Sequence, residues 1–114
     1  MGEIAARPLT DSTLVADIAW ARERFGVHAA VLVETTMLRR KAATKLARAG
    51  DWLFTDEALQ QATAEPVARH RARRLVGRRV HDATCSIGTE LAALADSADT
   101  LLGSDIDPVR LAMA

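Results

Sequence analysis

The chain has 114 residues, enough for at most one small domain. Its 15 basic and 15 acidic residues cancel, and a lone cysteine with three scattered histidines excludes both a disulfide framework and a zinc cluster. No apolar run has the length of a secretory leader or a membrane span, so a cytoplasmic, membrane-free protein is expected.

Charge is distributed unevenly. Residues 1–81 carry 14 Lys/Arg and 9 Asp/Glu, whereas residues 82–114 carry 1 and 6. A basic first half beside an acidic second suits an anionic substrate such as RNA, although solvated Arg-rich helix faces produce the same imbalance.

Residues 1–76 read as a helical region. A short, disordered-looking leader is expected to Pro8. Thr10 or Asp11 then caps a helix whose stripe is Leu14, Ile18, Ala21 and Phe25, widened by Val15 and Trp20 and stopped by Gly26. A second helix is expected from Ala29 to Arg48, with a seam of Leu32, Thr35, Leu38, Ala42 and Leu46. Its other side gathers Arg39, Arg40, Lys41, Lys45 and Arg48, which are candidate nucleic-acid contacts; a solvated face is the competing reading. The apolar stretch from Trp52 to Phe54 is too short for a core strand and reads as an extended connector anchored in the core. Thr55 or Asp56 caps the next helix, to about Thr63, and Glu65-Pro66 opens another to Leu75 before Gly77.

Residues 77–114 read differently. Val80 to Asp107 has the order strand, small-residue loop, helix, strand, which opens a nucleotide-binding βαβ unit. The first strand is weak by propensity, with Val80 as its β-branched residue. Leu91, Leu94 and Ala95 give the following helix an apolar face, and Thr100 to Ser104 reads as a buried parallel strand. Asp82 falls at the mouth of the first strand and Asp105 at the end of the second, where such an acid holds a ribose diol. Asp107 before Pro108 is a helix cap. A dinucleotide fingerprint in this register would place glycines at 84, 86 and 89, and Thr84, Ser86 and Thr89 stand there. A loop of small hydroxyl residues with Gly88 still admits a ligand that lacks phosphates.

The nine residues from Asp82 to Glu90, Asp-Ala-Thr-Cys-Ser-Ile-Gly-Thr-Glu, resemble the Asp-x-x-Cys-Gly-x-Gly-Gly-Asp/Asn loop of class I S-adenosylmethionine-dependent methyltransferases of the trimethylguanosine-synthase-like and RNA-methylase kind. The run from Gly103 to Ala114 resembles the Gly-x-Asp-x-Asp-Pro segment that follows it there. More closely, Trp52 to Ala114 is similar to bacterial methyltransferases that carry a THUMP-like domain after the catalytic one. Ser86 and Thr89 stand where those enzymes usually have glycine.

The resemblance implies an α/β chain: a helical lead-in followed by the first βαβ unit of a Rossmann-like methyltransferase fold, with an incomplete sheet. A complete domain of that kind is about twice as long. The chain is therefore expected to be the N-terminal part of a larger enzyme, inactive alone, with S-adenosylmethionine as cofactor. The cofactor contacts so implied are Asp82, Thr84, Cys85, Ser86, Gly88, Asp105 and Ile106, with Thr63 and Glu65 either bordering the site or only capping a helix. Asp82 either accepts a bond from the methionine ammonium or ties the loop amides together. Cys85 reads as a packing residue rather than a nucleophile, and His28, His70 and His81 lack metal-ligand spacing. The Asn/Asp-Pro-Pro-aromatic motif that positions the methyl acceptor in such enzymes does not occur, so no catalytic residue is nominated. Two alternatives stay open: a helical module that binds nucleic acid or a partner, and, less favoured, part of a nicotinamide-dependent oxidoreductase.

Overall fold

The computed structural model describes residues 1–114. Seven α-helices and two strands follow in the order α1 (Gly2–Ala5), α2 (Leu14–Phe25), α3 (Ala29–Ala42), α4 (Asp56–Gln61), α5 (Glu65–Arg73), β1 (Arg79–Asp82), α6 (Thr89–Leu94), β2 (Thr100–Gly103) and α7 (Pro108–Met113). The molecule is elongated, 50 × 26 × 20 Å, with a radius of gyration of 16.5 Å. A compact chain of this length would have about 13 Å.

The elongation follows from two separate cores. At one end Ile4, Leu9, Ala21, Ala29 and Val33 are buried, with Leu14, Ile18, Trp20, Phe25 and Leu32 packed around them. The residues before Pro8 are thus ordered rather than disordered: α1 forms, and Ile4 plugs the α2–α3 pair. Arg40 holds that segment from α3 by donating to the carbonyls of Ala5, Arg7 and Pro8 at 2.6–2.9 Å. Helix α2 begins at Leu14, later than the Thr10 or Asp11 cap would give, because Thr10 to Thr13 forms a preceding turn closed by hydroxyl bonds. Its stripe is also rotated away from Val15, which is 83% exposed.

Asp17 takes the inward position instead, at 2% exposure. Its carboxylate accepts from Arg7 Nε at 2.9 Å and from the Leu9 amide at 2.8 Å. Burial alone would raise its pKa, yet the bonds from Leu9, Thr13 and Arg7 outweigh that and hold it below the ordinary value. Arg7 also lies over the Trp20 ring at 4.9 Å.

The second core joins Leu38, Ala42, Leu46, Ala49, Phe54, Ala58 and Leu59 with Ile87 from the β1–α6 loop. Helix α3 ends at Ala42, short of Arg48, because the chain turns so that Lys45 can serve another helix. Lys45 Nζ donates to the carbonyls of Leu59, Gln60 and Ala62 at 2.9–3.0 Å, satisfying the open end of α4. The seam of α3 runs through Val33, Thr36 and Leu38 rather than Leu32 and Thr35, which are half-buried. Phe54 anchors the connector as expected, while Leu53 stays exposed.

β1 and β2 pair in parallel, with Arg79 opposite Thr100 and Asp82 opposite Gly103. β2 is not the buried strand that its composition predicts. The sheet has two strands, α6 packs on α5 and β2, and Leu102 on the other face is 59% exposed. No helix is long and apolar enough to cross a membrane.

Asp17 gives a test of this account. Its folded pKa is depressed, so its contribution to stability is present above the unfolded value of about 3.9 and is lost as pH falls through the folded value. Asp17→Asn is expected to unfold more easily than wild type at pH 7, with the two denaturation midpoints converging below about pH 4. A gap that does not change with pH would contradict it.

Candidate functional site

The loop from Asp82 to Gly88 leaves β1 and turns twice through left-handed backbone. Ser86 has φ 50° and Gly88 has φ 88°. Between them Ile87 points into the second core, 1% exposed, and fixes the loop against the helical region.

The loop is laced to the end of β2. The Ser104 amide donates to the Asp82 carbonyl at 2.9 Å, and the Cys85 amide to the Ser104 carbonyl at 3.0 Å. Asp105 supplies the side-chain tie: the Ser86 amide donates to Oδ2 at 2.8 Å and the Asp107 amide to Oδ1 at 2.9 Å. These amides, Asp107 first, hold the Asp105 carboxyl below its ordinary pKa, so it is anionic at neutral pH. A carboxylate has about four acceptor directions, so about two stay open for a ligand's hydroxyls. Asp82 makes a weaker tie, accepting from the Thr84 amide at 3.2 Å. Asp107 caps α7 as its place before Pro108 predicts, accepting from the amides of Val109 and Arg110.

The structure thus brings Asp82, Thr84, Cys85, Ser86 and Asp105 together at the C-terminal ends of the two strands, where open α/β sheets take ligands. Ile106 follows them, fully exposed. Glu65 and Gly88 instead share a neighbouring cleft of about 720 Å³, walled also by Trp52, Arg69, Leu91 and Met113. Glu65 is tied down there: its carboxylate accepts from the Ala47 amide at 2.7 Å and pairs with Arg69, and the Ala47 bond foremost lowers its pKa. Thr63 is half-buried just before it.

Cys85 is 4% exposed. Burial, and then the charges of Asp82 and Asp105, push its thiol up, so it is a packing group rather than a nucleophile. It packs where Gly103 leaves room: a Cβ on Gly103 would lie 3.2 Å from Cys85 Sγ and would collide with Leu91 Cδ1. Sequence reasoning missed this role for Gly103, since the demand comes from a helix and a loop on either side.

The five candidate cations of α3 and its following turn, among them Arg48 with Asp51, all face oxygens of the chain itself. Arg39 Nε donates to the Trp52 carbonyl at 2.9 Å, and Lys41 pairs with Asp56 at 2.7 Å. Arg40 and Lys45 hold the carbonyls described above.

Ser86 and Gly103 give opposite expectations. Ser86 holds left-handed backbone, and its buried Oγ has no hydrogen-bond partner. Ser86→Gly is expected to stabilise the fold by about 0.5–1 kcal/mol, after the loss of unfolded-chain rigidity is counted. Gly103→Ala is expected to destabilise it by roughly 1–3 kcal/mol through overpacking. Denaturant titration of both variants checks the pair, and equal effects would contradict the loop geometry.

No family model matches the chain, and no solved structure matches it. Over 99 residues it is 71% identical to a protein of Mycobacterium tuberculosis (strain CDC 1551 / Oshkosh) named as an uncharacterized S-adenosylmethionine-dependent methyltransferase. The same figure holds for a protein of the same description from strain ATCC 25618 / H37Rv. Each alignment takes in 82% of this chain and 28% of the relative, so the chain spans well under a third of the length of the curated relatives it matches.

Proposed function

We propose that this chain supplies the S-adenosylmethionine-binding unit of a class I methyltransferase, of the THUMP-like and RNA-methylase kind, with RNA as acceptor. The observation that carries the reading is the Asp105 carboxylate. It lies two residues past β2, beside the mouth of β1, is anionic, and is held by the Ser86 and Asp107 amides with acceptor directions to spare. That is what recognition of a ribose diol requires. The names of the 71% identical relatives support the same cofactor. The basic excess of residues 1–81 supports an anionic acceptor.

The residues present fit this cofactor better than a dinucleotide. A pyrophosphate needs glycine-lined backbone, whereas Thr84, Ser86 and Thr89 occupy the three fingerprint positions and Thr89 is buried. Around a bound ligand, Asp105 would accept from the ribose hydroxyls and Asp82 from the methionine ammonium. Thr84, Cys85, Ser86 and Ile106 would line the loop, with Thr63 and Glu65 at its border. When bound, the cofactor supplies a methyl group already activated by its sulfonium. The work left to the chain is to orient that group and keep water from it, which is positional catalysis.

Calorimetric titration of S-adenosylmethionine into the full-length protein, with NADH as comparator, tests the reading alongside Asp105→Ala. Saturable binding of S-adenosylmethionine is expected. It should weaken by about tenfold or more in the variant, as loss of a charged hydrogen-bond acceptor worth roughly 1.5–3 kcal/mol implies. Preference for NADH, or wild-type affinity in the variant with its circular dichroism unchanged, would contradict it. Residues 1–114 alone are expected to transfer no methyl group, because a two-stranded sheet with open edges is marginal. Detectable turnover by them would overturn that expectation.

A further inference from the structure

Arginine is concentrated in two stretches of this chain. The arginines on α3 and its following turn are engaged: Arg39 and Arg40 hold backbone carbonyls, and Arg48 pairs with Asp51 at 2.6 Å. A second concentration lies in residues 69–79, Arg-His-Arg-Ala-Arg-Arg-Leu-Val-Gly-Arg-Arg. Of its six arginines, Arg69 pairs with Glu65 and Arg71 with Glu90. Arg73, Arg74, Arg78 and Arg79 form no ion pair, and all four are exposed. Elsewhere Arg22, on α2, is likewise free of an ion pair, but it stands alone in sequence.

These four cations sit on one reversal of the chain. Helix α5 ends at Arg73, the backbone turns through Gly77 at φ 67°, and β1 begins at Arg79. The reversal is pinned to the opposite turn by the Gly77 amide donating to the Ser97 carbonyl at 2.8 Å and the Asp99 amide to the Arg78 carbonyl at 2.9 Å. Asp96 and Asp99 lie on that turn, yet neither carboxylate pairs with an arginine. The charge is therefore local, without contact ion pairs and on fixed backbone, in a chain whose net charge is zero.

We propose that this reversal binds the phosphate backbone of a nucleic acid strand. Guanidinium groups present planar donor forks that match phosphate oxygens, and several on one surface track successive phosphates. A lipid surface fits less well, because Val76 is the exposed large apolar residue of residues 73–79 and membrane binding needs an apolar face. The proposal extends the reading above by giving the acceptor a contact surface, and its test does not depend on cofactor binding.

The test is fluorescence anisotropy of a labelled single-stranded RNA of mixed sequence with the full-length protein, across a range of salt concentrations. The fourfold Gln variant at 73, 74, 78 and 79 is expected to lower affinity at least tenfold. It should reduce the steepness of the log–log salt dependence by about 3, as four lost phosphate contacts to a single strand require. The double variants Arg73→Gln with Arg74→Gln, and Arg78→Gln with Arg79→Gln, are each expected to remove about half of that slope, which keeps the test decisive should the fourfold variant unfold. Arg22→Gln serves as the control and is expected to bind as wild type. The proposal is overturned if the patch variants bind like the control or if the wild type does not bind RNA. Binding to phosphatidylserine-containing vesicles in place of RNA would overturn it too. Failure here with S-adenosylmethionine binding intact would remove the contact surface and leave the cofactor reading standing.

Discussion

The insertion of Ile87 into the helical core is the constraint on which the rest of the structure depends. The residue belongs to a loop that carries the candidate site, yet it packs with Leu38, Phe54 and Leu59 from elements far earlier in the chain. Left-handed backbone on both sides of it, at Ser86 and Gly88, drives the side chain inward while the loop amides stay free to bond. Burying an isoleucine this completely contributes on the order of 2–3 kcal/mol. That gain offsets much of the strain of a non-glycine residue at positive φ. The helical region therefore acts as the scaffold of the loop, and the loop in turn presents its backbone to Asp105.

The same economy of contacts explains the division of charge. In a chain with two small cores, polar groups complete the packing that apolar area does not cover. Lys45 closes the end of α4, Arg40 holds the α1 segment, and Asp17 ties Arg7 to the Leu9 amide. Each satisfies backbone groups that would otherwise be left without partners. The arginines around Gly77 take no part in this. The guanidinium groups of Arg73, Arg74, Arg78 and Arg79 form no ion pair within the chain, which is what assigns them to a partner outside it.

What could be read from the sequence was what is decided locally. Asp82 at the end of β1, Asp105 just past β2 and the Asp107-Pro108 cap stand where spacing and turn chemistry put them, whereas Gly88 takes a left-handed turn but faces the cleft beside Glu65. The parallel pairing of the two strands was legible for the same reason. Periodicity misjudged α2, because a count of apolar positions favours Val15 and overlooks a buried Asp17 whose partners lie before the helix. It lengthened α3 because nothing near Lys45 in sequence reveals the carbonyls that it caps. Gly103 and the orphan hydroxyl of Ser86 were silent too, since both are set by what packs across the loop.

The central claim is that the loop anchored by Ile87 and tied by Asp105 is where S-adenosylmethionine is held. The most direct measurement is a titration of the ligand into isotopically labelled protein, followed through backbone amide resonances. The account predicts saturable shifts concentrated at residues 82–88 and 103–107, with the Ser86 and Asp107 amides among the largest because their acceptor is shared with the ligand. Shifts confined to the cleft beside Glu65, or none at saturating ligand, would contradict it.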